Sequence, residues 1–314
     1  MRRIGPGLLF SSAFLAGGVR EQEVELEPGW NAVSFEVAPQ FSDPELVFGP
    51  VEEILEVVAY LPAGIPSSFL TDPAEELRNQ ASWPRWRRPG GGVELLNNLG
   101  ELQPRIPYFI RASEPATFTV SGPPAPKTWP LGRSGFSFVS FPVSRRADVS
   151  LEDYFASAPS QPERVFRLKE NRWETVGNSQ FLERNTVYCV RFTDAPPDYL
   201  GPVDLRNLPA ASPLALSSRS GSVDLDYRAF SPEAGLSLKV EKVSGDLRLE
   251  VRDGFLSEEE IPLTDSMNLT SLGPGEAGRL SFRGLNYGDA IVRLADTGET
   301  TAFYVLIEHP QPEN

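Results

Sequence analysis

One cysteine and one histidine stand in 314 residues, and no apolar run reaches the ~20 residues that a membrane-spanning helix needs. The lone Cys189 excludes an intrachain disulfide. In TVYCVRF it lies between Tyr188 and Val190 at strand spacing and reads as a small buried apolar residue. His309 sits in HPQPEN, which reads as a C-terminal tail. That placement removes histidine-based triads, HExxH zinc sites and any histidine general base inside a folded core. No P-loop, GxSxG elbow or Cys/His metal spacing occurs, so no cofactor or metal is implied. Positive charge is scarce as well. Lys and Arg number 29 against 43 Asp and Glu, a net charge of −14, which makes nucleic acid a poor partner.

What is plentiful points to sheets. Thirty prolines and 26 glycines spread along the chain, with 40% hydrophobic residues, describe many turns, short strands and packed cores. The opening MRRIGPGLLFSSAFLAGGVREQ has two arginines, an apolar run from Ile4 to Leu15, then small residues. That order predicts an export signal over residues 1–18, cut after Gly18. The expected address is secreted, periplasmic or cell envelope, with no stable membrane insertion after removal of the signal. No cysteine near the cut offers a lipid anchor.

The chain then repeats itself. GWNAVSFEV begins at Gly29 and GFSFVSFPV at Gly135, 106 residues later. In the first copy Val33, Phe35 and Val37 share one face, while Ala32, Ser34 and Glu36 share the other, which predicts a half-buried strand. A short capped helix follows each strand. Asp43 caps with Pro44 in the first turn, and Ser150 caps with Asp153 three residues on. Phe48 and Phe155 match. Next, ILEVVAY (54–60) and RVFRL (164–168) read as strands. LQPRIPYFIRAS and LERNTVYCVRFT then re-align at an offset of only 80, so the first copy carries about 26 extra residues between Tyr60 and Leu102.

The extra stretch holds a short helix in TDPAEELRNQA and then SWPRWRRPGGG. Trp83, Arg85, Trp86, Arg87 and Arg88 form the candidate ligand-binding cluster, a local concentration of positive charge and indole that suits a sugar ring or a partner's surface. The competing reading puts one tryptophan in the core and pairs the arginines with the protein's own carboxylates.

The stretch EQEVELEPGWNAVSFEVAP resembles the opening of a family of uncharacterised secreted bacterial proteins, whose line runs like LxPGWNAVxLEVxP. The GWN-x-V-S wording also recurs in bacterial surface-repeat modules. The likeness covers roughly residues 22–202 and is specific at Pro28, Gly29, Trp30, Asn31 and Val33. The second copy departs from it, with Phe136 and Ser137 where Trp and Asn would stand. It implies a secreted or surface, non-catalytic role and no residue-level activity.

After a Pro- and Ala-rich connection at 205–213, SVDLDYRA, LSLKVEKV, DLRLEVRDG, RLSFRGL, DAIVRLA and TAFYVLIE read as strands, with DTGE as a hairpin turn. About seven strands in about 100 residues predict an immunoglobulin-like sandwich over 214–309, with a tail at 310–314. Asp224, Asp226 and the run Glu258, Glu259, Glu260 read as wet-face acids, since no EF-hand loop accompanies them. The expected fold is therefore all-β: unit 1 over 22–126 with its insertion at 61–101, unit 2 over 127–204, and the sandwich. The expected role is a non-enzymatic structural or adhesive protein that contacts a protein or a cell-surface glycan. A carbohydrate-binding module using the Trp/Arg cluster is the alternative. A polysaccharide-active enzyme comes third, because paired carboxylates need no sequence motif.

Overall fold

The computed structural model describes residues 18–60, 83–89, 97–125, 135–144, 146–158, 160–193, 201, 203–206, 213–217, 221–229, 236–254, 260–269 and 271–311. The export signal up to residue 17, the helix expected in TDPAEELRNQA, and Glu258 and Glu259 lie outside these residues. The chain is all-β, with two short helices among the described residues.

β1 (Arg20–Leu26) pairs antiparallel with β6 (Ala116–Gly122), and β2 (Gly29–Ser34) pairs likewise with β5 (Pro107–Ala112). Leu26 faces Ala116 and Gly29 faces Ala112, so one two-stranded ribbon continues round a bend at residues 27–28. The GWN wording explains that bend. Gly29 takes φ +96, a left-handed conformation that glycine adopts without strain. The Asn31 amide donates to the carbonyls of Glu27 and Gly29 at 2.8 and 3.1 Å and accepts from the Glu27 N–H at 2.9 Å. Trp30 leans into a shared core described below.

Unit 1 completes its sheet with β3 (Ile54–Ala59) and β4 (Arg85–Arg87), in the order β2-β5-β3-β4. Unit 2 consists of β7 (Gly135–Ser140), β8 (Arg164–Lys169), β9 (Arg172–Thr175) and β10 (Val187–Phe192), ordered β7-β10-β8-β9. The two orders are the same, so the duplication is structural. Each unit has its capped helix: α1 (Pro44–Phe48), where Asp43 accepts from the Glu45 N–H, and α2 (Leu151–Phe155), where Ser150 accepts from the Asp153 N–H. Equivalent residues Arg105 and Asn185 both take φ 62 ahead of the last strand. Equivalent Tyr108 and Tyr188 both accept, at 2.7 Å, from a backbone N–H five residues earlier, at Gln103 and Glu183.

The half-buried strand needs correcting, because each sheet is covered on both faces. Phe35, Val37, Phe48 and Tyr108 build the core of unit 1, and Phe141, Tyr154, Phe155 and Tyr188 that of unit 2. The opposite faces meet each other. Ala32, Val58, Trp83 and Phe109 pack on Phe136, Phe138, Val187 and Cys189 in a third core shared by the two copies. Cys189 is fully buried there, as its spacing suggested.

The C-terminal domain is an immunoglobulin-like sandwich of two five-stranded sheets. One sheet orders β11 (Val203–Arg206), β13 (Ser222–Ala229), β18 (Ala277–Gly284), β15 (Leu249–Asp253) and β16 (Ile261–Pro262). The other orders β12 (Leu214–Ala215), β20 (Ala302–His309), β19 (Gly288–Asp296), β14 (Leu238–Gly245) and β17 (Ser266–Asn268). This is the ABED-against-GFC arrangement, with β12 running parallel beside the last strand. The sandwich has more strands than the seven expected, and its first pairing lies earlier: Leu205 and Arg206, assigned by sequence to the connection, face Tyr227 and Asp226. His309 is also corrected. It ends β20 opposite Gly288, with Nδ1 2.8 Å from the Asn286 carbonyl, rather than starting a tail. Asp226 is bound by Arg279 at 2.7 Å and Asp224 by Ser281 at 2.5 Å, on the wet face as expected.

Candidate functional site

The Trp/Arg cluster does not form a platform. In β4 the alternation of a strand sends Trp86 inward and Arg85 and Arg87 outward. Trp86 is 3% exposed, tilts against Phe48 at 5.7 Å and donates from its indole N–H to Glu45 at 2.9 Å. Trp83 is 4% exposed, belongs to the shared core and stacks on Phe109 at 5.7 Å. The two indoles therefore serve different cores, and neither offers a face to a sugar. Arg87 and Arg85 reach Glu56 at 2.9 and 3.7 Å. Arg88 donates to the carbonyls of Ile54 and Gly49 at 2.8 and 3.1 Å, and to those of Phe48 and Val51, closing the end of α1. The expected ligand cluster is a structural one.

The concentrated charge of the molecule lies elsewhere. Glu36, which the strand pattern placed on the wet face, is 3% exposed and is met by three arginines from different parts of the chain. Arg184 of unit 2 grips it with two donors, Nε at 2.5 Å and Nη2 on the other oxygen. Arg105 approaches to 3.5 Å and Arg20 to 3.4 Å. Burial alone would push the carboxyl up, but the guanidinium groups of Arg184, Arg105 and Arg20 overcome it and hold Glu36 ionised well below the usual carboxylate range. Arg20 and Arg184 also lie over the Tyr304 ring of β20, at 4.0 and 5.2 Å. Burial raises the Tyr304 hydroxyl, yet Arg184, Arg20 and Arg293 bring it below its ordinary value.

One cluster thus joins both units and the sandwich. Main-chain pairing adds a second tie: Ala302 donates to Pro142 at 2.9 Å, and Val143 bridges Thr301. Arg293 reinforces it through Ser144 at 2.9 Å and through Glu299. The units are tied to each other as well. Ser34 donates to the Asn185 carbonyl at 2.9 Å, and Asn171, in the two-residue β8–β9 turn, accepts from the Trp30 N–H at 2.5 Å.

Beside this junction opens a cleft of about 1150 Å³ between the bent ribbon of unit 1 and the loops of unit 2. Every residue from Gln22 to Leu26 lines it. Val24 and Leu26 bury their side chains in the core of unit 1, so it is the main chain of β1 that forms this wall. Among the described strands, β1 pairs only with β6. Among the described residues, no backbone bond outside β6 reaches Glu21–Leu26. The far wall includes Val143, Ala147, Leu182 and Asn185. Asn185 is 5% exposed, and neither its side-chain nitrogen nor its oxygen has a hydrogen-bond partner.

No family model matches the chain, and no curated protein matches it. Solved structures similar to about a third of the chain include the following two. The CooA pilin subunit from enterotoxigenic Escherichia coli is 11% identical, over 35% of this chain and 99% of its own, with a TM-score of 0.21. A PapD-like domain of human CEP192 is 18% identical, over 36% of this chain and 87% of its own, with a TM-score of 0.16. Likenesses this remote carry no argument about this chain. The class rests on the chain's own pairing: an all-β protein with a duplicated sheet and a C-terminal immunoglobulin-like sandwich.

Proposed function

We propose that the protein is a non-enzymatic structural or adhesive component, exported to the cell envelope or beyond it, that works by contact with another protein. The observation that carries this reading is the Glu36 cluster, which ties three folded modules into one body beside a cleft walled by an open strand edge. A rigid frame with a main-chain edge on display suits recognition of another chain. The glycan alternative loses its support, since it needed Trp83 and Trp86 side by side in solvent and both are buried.

The test uses photo-crosslinking in the producing cell. A crosslinker at Thr117, on the cleft wall, is expected to capture a defined envelope protein, while one at exposed Arg248 of the sandwich captures none. In parallel, the purified chain is expected to be inert toward polysaccharides, esters and peptides. Turnover that disappears on replacing a single Asp or Glu, with folding intact, overturns the reading. An N-terminus that is not cut after Gly18 overturns the export step.

A further inference from the structure

The edge of β1 specifies more than contact in general. Its sequence EQEVELE places Glu21, Glu23 and Glu25 at every second position of the strand, so they share one face of the ribbon, and Glu27 follows at the bend. Their neighbours Gln22, Val24 and Leu26 turn into the core, giving the alternating burial of the strand. Among the described residues, none of the four glutamates has an ion-pair partner, while Glu36, Glu56 and Glu241 are all paired with arginine. The cleft continues this sign: Asp148, Glu170 and Glu183 line it with Glu23, Glu25 and Glu27, against three cations, of which Arg167 and Arg184 are already bound to Glu183 and Glu36 and Lys169 is the third.

We propose that the free edge of β1 accepts an extended basic peptide as an added strand, with Lys or Arg at alternate positions. The proposal rests on the contact reading above and names the partner's chemistry. Four observations carry it. First, an unpaired edge offers main-chain donors and acceptors to an incoming strand. Second, alternate basic side chains on that strand would fall opposite Glu21, Glu23 and Glu25, at cross-strand distances where opposite charges attract. Third, the residues between them would point toward the apolar wall of Val143, Ala147 and Leu182. Fourth, Asn185, whose buried side-chain amide has no hydrogen-bond partner, lines the same cleft.

A seven-residue strand spans about 23 Å. The cleft also exceeds the roughly 300–1,000 Å³ of small-molecule pockets. A second copy of this chain is the wrong occupant for this edge. It would bring its own glutamate stripe against this one, and each chain carries a net charge of −14. Edge charges of that kind discourage self-pairing, and the same stripe selects a strand of opposite sign.

The experiment measures binding of fluorescent ten-residue peptides to the full chain by anisotropy at ~0.1 M salt, where exposed charges more than about 10 Å apart are screened. The probes are an alternating Lys/Val peptide, a peptide of the same composition with its lysines in one block, and the alternating peptide N-methylated at every second residue. The expected result is binding of the alternating peptide at least tenfold tighter than either control. Glu23→Gln/Glu25→Gln should weaken it about tenfold, with an unchanged melting temperature.

Equal affinity for all three probes overturns the proposal, because it reports non-specific charge attraction only. No binding, or affinity unchanged in the double variant, overturns it as well. A concentration-dependent dimer that the alternating peptide cannot dissociate would show that the edge serves a second copy instead. A peptide-binding failure in a chain that remains inert to hydrolase substrates removes the edge alone, whereas turnover removes the contact reading with it.

Discussion

Unit 1 and unit 2 share a sheet order, a capped helix and a left-handed residue before the last strand, yet they finish their cores and edges differently. In unit 1, residues 60–84 separate β3 from β4 and return Trp86 over α1, where it packs on Phe48. In unit 2 only Glu170 and Asn171 join β8 to β9, and Tyr154 from α2 itself fills the space, 4.8 Å from Phe141. Charge divides them as well. Glu36 and Arg105 of unit 1 correspond to Pro142 and Asn185 of unit 2. The copies therefore interlock by complementing each other, with Arg184 of unit 2 reaching back to Glu36. Their edges are used differently too, at residues that are not equivalent: Pro142–Ser144 is bonded to the sandwich, while β1 stays open on the cleft. Duplication supplied two equivalent sheets. One edge holds the frame, and the other is left unpaired among the described residues.

The sharpest way to break that comparison is at Glu36. Glu36→Gln leaves three buried guanidinium groups without their counter-charge, and losing one partner of a buried ionic group costs about 3–5 kcal/mol. Urea unfolding near pH 7 should register that loss. The pH dependence has a fixed sign. The folded pKa of Glu36 lies below its unfolded value, so its stabilisation is present above the ordinary carboxylate pKa of ~4.3 and is lost as pH falls toward the folded one. The gap between native chain and variant should therefore narrow below about pH 4. A gap that stays constant from pH 7 to pH 3 would remove Glu36 from the centre of the junction.

Next come the two core fillers. Trp86→Ala and Tyr154→Ala each open a cavity, with expected losses of about 3–4 kcal/mol in thermal or urea unfolding. If Trp86 instead served a ligand, Trp86→Ala would keep its stability and lose binding. Tyr154→Ala sharpens the contrast. Its loss should match that of Trp86 only if each unit depends on its own filler.

Much of this architecture was legible because it is local chemistry. Asp43 and Ser150 announced their helices through capping, and the paired VSF runs announced their strands through period two. What eluded the sequence was the covering of the second face. Period two tells two faces apart but not what lies on them, so Ala32, Ser34 and Glu36 read as wet. The second copy held a clue: Phe136 and Phe138 on one face and Val139 and Phe141 on the other describe a strand buried on both sides. Trp86 misled for a similar reason. RWR is strand alternation with its aromatic inward, although its composition resembles a patch. The contact between Glu36 and Arg184 spans 148 residues, and no local pattern encodes it. The glutamate stripe of β1 is legible in EQEVELE, directly ahead of the GWN motif.

The smallest expected effect tests why the two copies differ in that motif. Asn31 pins the bend between β1 and β2 with three hydrogen bonds of 2.8–3.1 Å to Glu27 and Gly29. Ser137 stands in its place in unit 2. A net hydrogen bond contributes about 1 kcal/mol, and water can replace part of what an exposed corner loses. Asn31→Ala should therefore cost about 2 kcal/mol, and Ser137→Ala about 1 kcal/mol or less. The two variants should also separate in function. Releasing the bend moves the edge of β1 relative to the far wall of the cleft, so Asn31→Ala should weaken the alternating peptide several-fold beyond what its stability predicts. Ser137 lies in the other sheet and should leave that affinity untouched. Equal effects of the two substitutions on peptide binding would mean that the corner stabilises unit 1 without aiming its edge.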